Sequence, residues 1–312
     1  MIEAVRRIQT AVITGPTGAI GAALCRLLLS EGVRTYAVCR PGSSRNAALP
    51  KREGLVPVLC DAGGLDKLPQ LISGGADVFY HLAWADTIGP GRNDVTSQIR
   101  NIQYTIDAVR SAAALGCGVF IGAGSQAECG RVEGLLRPDT PCFPENGYGM
   151  AKLCAGQMSR LECGRLGIDH IWTRILSVYG PHDGPMTMIM GTARALLRGD
   201  KPKLTMGEQL WDYLYAADAA QALYCMALSG RSGALYPLGS GQARPLRTYV
   251  ETLRDAIDPT LELGFGEIPY GPQQVMRLQA DIGELRRDTG FEPKTPFEAG
   301  IRETIEWIRG GA

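Results

Sequence analysis

The chain has no excess of charge. Lysine and arginine total 32, aspartate and glutamate total 32, and the formal net charge is zero. No basic run is present, so nucleic acid and anionic membrane surfaces are not expected partners. Long apolar runs are missing as well, since no stretch approaches the ~20 residues that a membrane span needs. The first ten residues, Met1 to Thr10, are mixed and charged and hold no apolar segment of the kind found in secretory leaders. Histidine is scarce: His81, His170 and His182 are widely dispersed, and no metal site is expected. The nine cysteines, at positions 25, 39, 60, 117, 129, 142, 154, 163 and 225, are odd in number and never spaced as C-x-x-C. That argues against a disulfide framework and a zinc site, and predicts reduced thiols in a cytoplasmic protein. Repeats, low-complexity tracts and separating linkers are also lacking in these 312 residues, a length suited to one large α/β domain or a domain with a smaller lobe.

What is present begins at the N-terminus. The apolar run Ala11-Val12-Ile13 reads as a short buried strand, and Ala22 to Leu29, rich in Ala and Leu, reads as a helix. Between them stands Thr14-Gly15-Pro16-Thr17-Gly18-Ala19-Ile20-Gly21. A strand, a glycine loop and a helix make the first step of a dinucleotide-binding βαβ unit. Gly15 would allow the tight turn, Gly18 the approach of a pyrophosphate, and Gly21 close packing of helix on strand. The helix N-terminus offers its unpaired N–H groups to the phosphates. The spacing is G-x-x-G-x-x-G rather than G-x-G-x-x-G.

Alternating strand and helix signals continue. Thr35 to Cys39 reads as a second strand. In units that bind NAD an acidic residue near that strand's end holds the ribose 2′-hydroxyl. Here the place reads Cys39-Arg40-Pro41-Gly42-Ser43-Ser44-Arg45, with no acid. Arg40, Ser43 and Arg45 suit a 2′-phosphate instead, through charge-assisted hydrogen bonds, which predicts NADP, with NAD the alternative. A solvated loop would have the same composition. Val56 to Asp61 reads as a third strand, whose Asp61 would meet the adenine amine or cap the helix near Leu65 to Ile72. Asp77 to Ala83 reads as a fourth strand, in which His81 is expected to be structural. A long helix over Gln98 to Ala114 carries Ile102, Ile106, Val109 and Ala113 on one face, and Gly118 to Gly122 is a fifth strand leading to Ser125.

After an irregular loop from Cys129 to Asn146 comes Tyr148-Gly149-Met150-Ala151-Lys152, opening a helix through Leu166. Tyrosine and lysine four apart share a helix face. An ammonium beside the phenol predicts a lowered phenol pKa, making Tyr148 an acid or base near neutral pH. Ile171 to Leu176 is a sixth strand, Trp211 to Tyr215 another strand, and Ala217 to Leu228 a helix returning to the main sheet. Helices are also expected at Met186 to Arg198, at Leu246 to Ile257, and near Ile282 and Pro296. The fold class is therefore α/β, a doubly wound parallel sheet with a smaller interleaved C-terminal lobe. Residues 1–177 and 211–235 would form the dinucleotide-binding part, and 178–210 and 236–312 the substrate-binding lobe.

The set Gly15-x-x-Gly18-x-x-Gly21, Asp61, His81-Leu82-Ala83, Asn101, Ser125, Tyr148-x-x-x-Lys152, Arg174, Val178-Tyr179-Gly180-Pro181 and Asp212-Tyr213-x-Tyr215-x-x-Asp218 resembles the extended short-chain dehydrogenase/reductases. Within them it is similar to the epimerase/dehydratase family acting on nucleotide sugars, over nearly the whole chain. The resemblance implies a Rossmann-type fold and an enzyme in which Tyr148 is the acid/base and Ser125 hydrogen-bonds the reacting oxygen. Lys152 would hold the nicotinamide ribose, and Asn101 would support the site. Implied cofactor contacts extend to Thr17, Ala19 and Ile20 on the first loop, then Ala62, Leu82, Ala83 and Trp84, and finally Ser177 and Val178. Implied substrate contacts are Trp84, Ser125, Gln126, Tyr148, Ser177 and Arg277. A nucleotide-sugar substrate and a homodimer follow from the same resemblance. Dehydratases of the family carry Asp-Glu after the active-site hydroxyl residue. Here those positions are Gln126-Ala127, which disfavours 4,6-dehydration. An arginine expected before Asp-Tyr is Trp211, and one expected near Gln273-Gln274 is absent, with Arg277 the candidate substitute. Reduction of a 4-keto sugar nucleotide is the expected reaction. The alternatives are an epimerase with tightly bound NAD, a reductase of small ketones, and a non-catalytic NADP-binding sensor.

Overall fold

The computed structural model describes residues 5–272 and 274–311, so Gln273 lies outside the described residues. Its first half is a regular alternation: β1 (Thr10–Thr14), α1 (Ala19–Ser30), β2 (Arg34–Cys39), β3 (Leu55–Leu59), α2 (Leu68–Leu71), β4 (Val78–His81), α3 (Val95–Ala114), β5 (Val119–Ser125), α4 (Gly147–Leu166) and β6 (Asp169–Ile175). These strands are parallel, and together with a later strand they form a seven-stranded sheet. Both faces of that sheet are covered, which is why its strands read as continuous apolar runs. In β1, Ala11 and Ile13 pack into one core with α1, whereas Val12 between them packs into the other with α3. Val78 and Tyr80 likewise join the first core, and Phe79 the second. Side chains two apart point the same way, so one strand feeds two layers.

The second half interleaves. Its elements are β7 (Ser177–Tyr179), α5 (Met188–Leu197), β8 (Lys203–Leu204), β9 (Leu210–Trp211), β10 (Tyr213–Tyr215), α6 (Ala216–Ser229), β11 (Leu235–Leu238), β12 (Arg244–Pro245), α7 (Leu246–Ile257), β13 (Gly264–Phe265), β14 (Arg277–Leu278), α8 (Gly283–Thr289) and α9 (Phe297–Arg309). Helix α6 returns to α1 and completes the first core, while α5, α7 and α9 enclose a separate core around Ile189, Leu253 and Ile301. The central sheet runs in the order β11-β6-β5-β4-β1-β2-β3. The strand order therefore reverses between β1 and β4, the switch point where open α/β sheets bind ligands.

Two readings of the sequence change here. Trp211 to Tyr215 is not one strand: β9 pairs with β12 and β14, β10 pairs with β7, and the break falls at Asp212. The buried Asp212 carboxylate accepts N–H bonds from Ser240, Gly241 and Ala280, so it holds three chain segments together rather than lying in a ladder. The seventh strand, β11, had no sequence signal. It is four residues long and contains Pro237, tolerated because β11 is a sheet edge and pairs only with β6. The loop between β5 and α4 is tied down, with Leu136 N–H donating to Gln279 and Asp281 N–H to Leu136.

Candidate active site

The glycine loop takes the form its residues dictate. Gly15 has φ +71°, and a Cβ there would stand 3.0 Å from the backbone of Leu82 and Ala83. A Cβ on Gly21 would lie 2.1 Å from the Gly15 carbonyl oxygen, whereas one on Gly18 would meet that oxygen only at 3.8 Å, an ordinary contact. The turn thus depends on Gly15 and the close packing of helix on strand on Gly21. No side chain caps α1, whose first residues are Ala19 and Ile20. Its leading N–H groups remain for an anion.

Opposite the loop, Thr14 organises the end of β4. Its hydroxyl accepts N–H bonds from Leu82 and Ala83, each at 3.1 Å, and lies 3.0 Å from His81 Nδ1. Thr105 donates to the Asn101 carbonyl, so its oxygen is an acceptor for His81 Nε2 at 3.3 Å. That chain of donors requires the proton on Nε2 and leaves Nδ1 to accept from Thr14. Burial and the nearby Lys152 charge lower the His81 pKa to about 3, so the ring stays neutral. It is structural, as expected.

A cleft opens at the switch point. Gly15, Thr17 and Gly18 line one wall, Leu82, Ala83 and Trp84 another, with Asn101 behind. At its far end stand Arg40, Ser43, Arg45, Asp61 and Ala62. Asp61 makes no capping bond to the turn that follows it, and its carboxylate is left to the cleft. Arg45 donates to the carbonyls of Thr17, at 2.7 Å, and His182, at 3.0 Å. The residues present fit a dinucleotide: a loop that only glycine can make, an uncapped helix start, and an acid and cations at the distal end.

At the near end the structure joins Ser125, Tyr148 and Lys152. Ser125 ends β5, and its side chain acts on the Tyr148 phenol closely enough to pull its pKa down. Tyr148 and Lys152 come from the first turns of α4, whose N-cap Asn146 accepts from Gly149 N–H at 2.9 Å. Lys152 Nζ donates to the Ala123 carbonyl at 2.5 Å and lies 3.7 Å from the centre of the Trp84 ring. The Trp84 ring stands edge-on to Tyr148, and its N–H donates to Gln98 at 3.0 Å. Burial lowers the Lys152 pKa to about 7, against the pull of Glu128.

One expectation is corrected. The Tyr148 pKa is raised, not lowered. Burial is the largest cause, and it outweighs the pull of Ser125 and the charge of Arg92. Lys152 is 5.8 Å from that ring and spends its charge on Trp84 and a carbonyl. The Asn101 amide clamps the backbone of Ala85, accepting from the N–H and donating to the carbonyl, each at 3.0 Å. It is a positioning residue for the segment that carries Trp84.

The remaining candidates lie on β7, on β14 and on the turn after Ser125. Ser177 starts β7 beside Val178, and its hydroxyl accepts from Trp211 Nε1 at 2.7 Å. Arg277 donates to Gln279, and its Nε is buried without a partner. Gln126 is half-buried on the turn after Ser125.

Three contributors were missed in the sequence. Arg92 lies 4.5 Å over the Tyr148 ring. Gln98 ties Trp84 to the carbonyls of Asp86 and Gly91. Glu128 is the third. Its side chain accepts from Ser125 N–H at 2.8 Å and Trp172 Nε1 at 3.0 Å, and pairs with Arg174 at 3.2 Å, all buried. A Ser-x-x-Glu capping box was the one available clue.

The chain is similar to known proteins in sequence and in fold. A curated relative, the dTDP-glucose 4,6-dehydratase of Streptomyces niveus, is 26% identical over 260 residues, covering 80% of this chain and 74% of the relative. With other curated dehydratases the match spans 50% of the relative's length. Among solved structures, a UDP-N-acetylglucosamine 4-epimerase from Methanobrevibacter ruminantium M1 superimposes with a TM-score of 0.88 at 21% identity, covering 98% of this chain and 100% of that one. The dTDP-glucose 4,6-dehydratase DesIV from Streptomyces venezuelae, solved with NAD and TYD bound, gives 0.84 at 21% identity and 97% of each chain. Residues 11–239 match the NAD dependent epimerase/dehydratase family. With its glycine loop, switch-point cleft and Ser125–Tyr148–Lys152 group in place, the chain belongs to that family and is one of its enzymes.

Proposed function

We propose that the enzyme reduces a 4-keto nucleotide sugar with NADPH. The observation that carries this reading is the pair of residues that follows Ser125, Gln126 and Ala127. Dehydration needs two further groups beside the hydroxyl residue, and Gln126 and Ala127 offer neither acid nor base. The next acid, Glu128, is committed to Ser125, Trp172 and Arg174. What remains is exchange of one hydride and one proton at a single carbon. The nicotinamide ring, when bound, supplies the hydride. Ser125 would hold the keto oxygen, and Tyr148 would deliver the proton to it. A phenol whose pKa lies above its ordinary value is protonated at neutral pH and ready to donate. Lys152, with a pKa near neutrality, can return a proton toward the site between turnovers.

The cofactor choice rests on the end of β2. Arg40 and Ser43 stand in the cleft where an NAD-binding unit places an acid, and Arg40 makes no ion pair among the described residues. A second reading, an epimerase that keeps NAD bound, is favoured by Arg45, whose guanidinium is already engaged by two carbonyls. A structural neighbour holding NAD agrees with it. Trp84, Gln126, Ser177 and Arg277 are the residues proposed to meet the substrate. The lobe of 178–210 and 236–312 would supply its far contacts. We also propose a homodimer, supported by exposed apolar side chains on α3 and α4: Val95, Ile99, Met150, Met158 and Leu161. No helix among the described residues is long and apolar enough to cross a membrane. The nine unjoined thiols support a cytoplasmic location.

The deciding experiment is stoichiometric. A keto sugar nucleotide is supplied and the absorbance of the reduced cofactor followed. One NADPH consumed per product is the expected result. Interconversion of two sugar nucleotides with no net consumption would replace this reading by the epimerase.

A further inference from the structure

Of the nine free thiols, two meet. Cys129 follows the turn that begins at Ser125, and Cys142 lies across the loop that leads to Tyr148; their sulfurs are 3.7 Å apart. The two chain segments are joined there, with Phe143 N–H donating to the Cys129 carbonyl at 3.4 Å. A disulfide needs sulfurs ~2.05 Å apart, so closure from 3.7 Å asks for roughly 1.7 Å of sulfur movement. No rearrangement of the fold is required.

The two sulfurs differ in what surrounds them. Cys129 is buried, and burial pushes its pKa up, which keeps it a thiol. Cys142 is half-buried, and Arg174 Nη2 donates to its sulfur at 2.8 Å. Cys142 is the more accessible of the two sulfurs, and access is one requirement for attack on an oxidant. Arg174 is held in that position by Glu128 and by the carbonyls of Arg137 and Pro138. A half-buried sulfur in contact with Arg174 thus stands next to a buried resolving one, the arrangement of a redox-responsive pair.

We propose that Cys142 and Cys129 form a thiol redox site that reacts with hydroperoxides and closes to an intramolecular disulfide. In the first step the Cys142 thiolate attacks a peroxide oxygen, the O–O bond breaks, and hydroxide leaves, giving a sulfenic acid at Cys142. In the second the Cys129 sulfur displaces hydroxide from that sulfenic acid, and its own proton joins the hydroxide as water. Two electrons pass from the sulfur pair to the peroxide, and the S–S bond forms. The bond closes the loop that connects the Ser125 turn to the helix bearing Tyr148. A dithiol reductant reverses it.

The test uses the full-length protein at neutral pH with hydrogen peroxide. Remaining thiols are blocked with iodoacetamide, and the chain is mapped by peptide mass spectrometry without reduction. The expected result is a cross-linked pair of peptides containing Cys129 and Cys142, lighter by two hydrogens and separated by dithiothreitol. In Cys129→Ser, Cys142 should instead be trapped by dimedone as the sulfenic acid, and in Cys142→Ser no bridge to Cys129 should form. Wild-type protein in which Cys142 is trapped by dimedone or driven to sulfinic acid without cross-linking would overturn the proposal. So would a bridge from Cys129 to some other cysteine at equal yield. The wild-type map decides the matter even if a variant folds poorly.

Discussion

Glu128→Gln tests whether the buried Glu128–Arg174 pair anchors the active-site turn. Side-chain exposures of 5% for Arg174 and 1% for Glu128 leave neither group in water. Burial raises the Glu128 pKa by more than Ser125, Trp172 and Arg174 lower it, so the pair costs energy to bury. Taking away one partner is a different matter, because it leaves the other charge uncompensated, at about 3–5 kcal/mol. Glutamine keeps an oxygen for the Ser125 and Trp172 N–H groups, so the loss isolates the charge. Arg174 retains two carbonyls and the Cys142 sulfur, which places the expected cost near the lower figure, about 3 kcal/mol. Unfolding entropy of ~2.1 cal/mol/K per residue over 312 residues converts this to a fall in Tm of about 5 °C. Urea denaturation and thermal melting followed by circular dichroism measure it. The double variant Glu128→Gln with Arg174→Met should regain most of the loss, since the stranded guanidinium is gone. A single variant within about 1 kcal/mol of wild type, or a double variant no better than the single, would refute the reasoning.

Tyr148→Phe should keep cofactor affinity and lose turnover by ~10²–10⁴-fold, because the ring still packs on Trp84 while the proton donor is gone; a variant retaining most of its rate removes Tyr148 from the mechanism. Fluorescence titration should show NADPH binding more tightly than NADH, and Arg40→Ala should erase the difference; equal affinities in the wild type would leave Arg40 and Ser43 without a 2′-phosphate to hold. His170 is buried against Phe120 and Trp172, and its pKa is lowered to about 4. The unfolded chain therefore binds the extra proton first, and stability present above the ordinary histidine pKa of ~6.5 is lost as pH falls toward 4. His170→Phe should remove that contribution, about 3 kcal/mol at full effect, and parallel stability curves for variant and wild type between pH 6.5 and 4 would count against it.

Much of this protein was legible in order along the chain because the signals are local. Apolar runs such as Ala11 to Ile13 and Asp77 to Ala83 specify strands buried on both faces, and the glycine spacing specifies a turn that no other residue fits. Tyr148 and Lys152 share a helix face by periodicity alone, and the distance of Ser125 from them in sequence concealed nothing once β5 was identified. Local rules failed where a residue answers to distant partners. Asp212 looks like part of a strand until Ser240 and Ala280, 28 and 68 residues away, claim its carboxylate. Pro237 hid an edge strand, since its tolerance depends on which neighbour is missing.

The sequence by itself determined the alternation of elements, the glycine loop after the first strand, and the serine, tyrosine and lysine that the fold brings together. These follow from spacing and side-chain type, which the chain carries wherever it folds. Only the tertiary structure decided what each group's surroundings do to it. Burial raised Tyr148 where a neighbouring lysine was expected to lower it, and it brought Lys152 toward neutrality over the face of Trp84. Packing turned Glu128 from an unremarked acid into the anchor of Ser125, and it set Cys129 against Cys142. Desolvation and long-range contact depend on what closes around a side chain, and that is settled only when the layers of the fold come together.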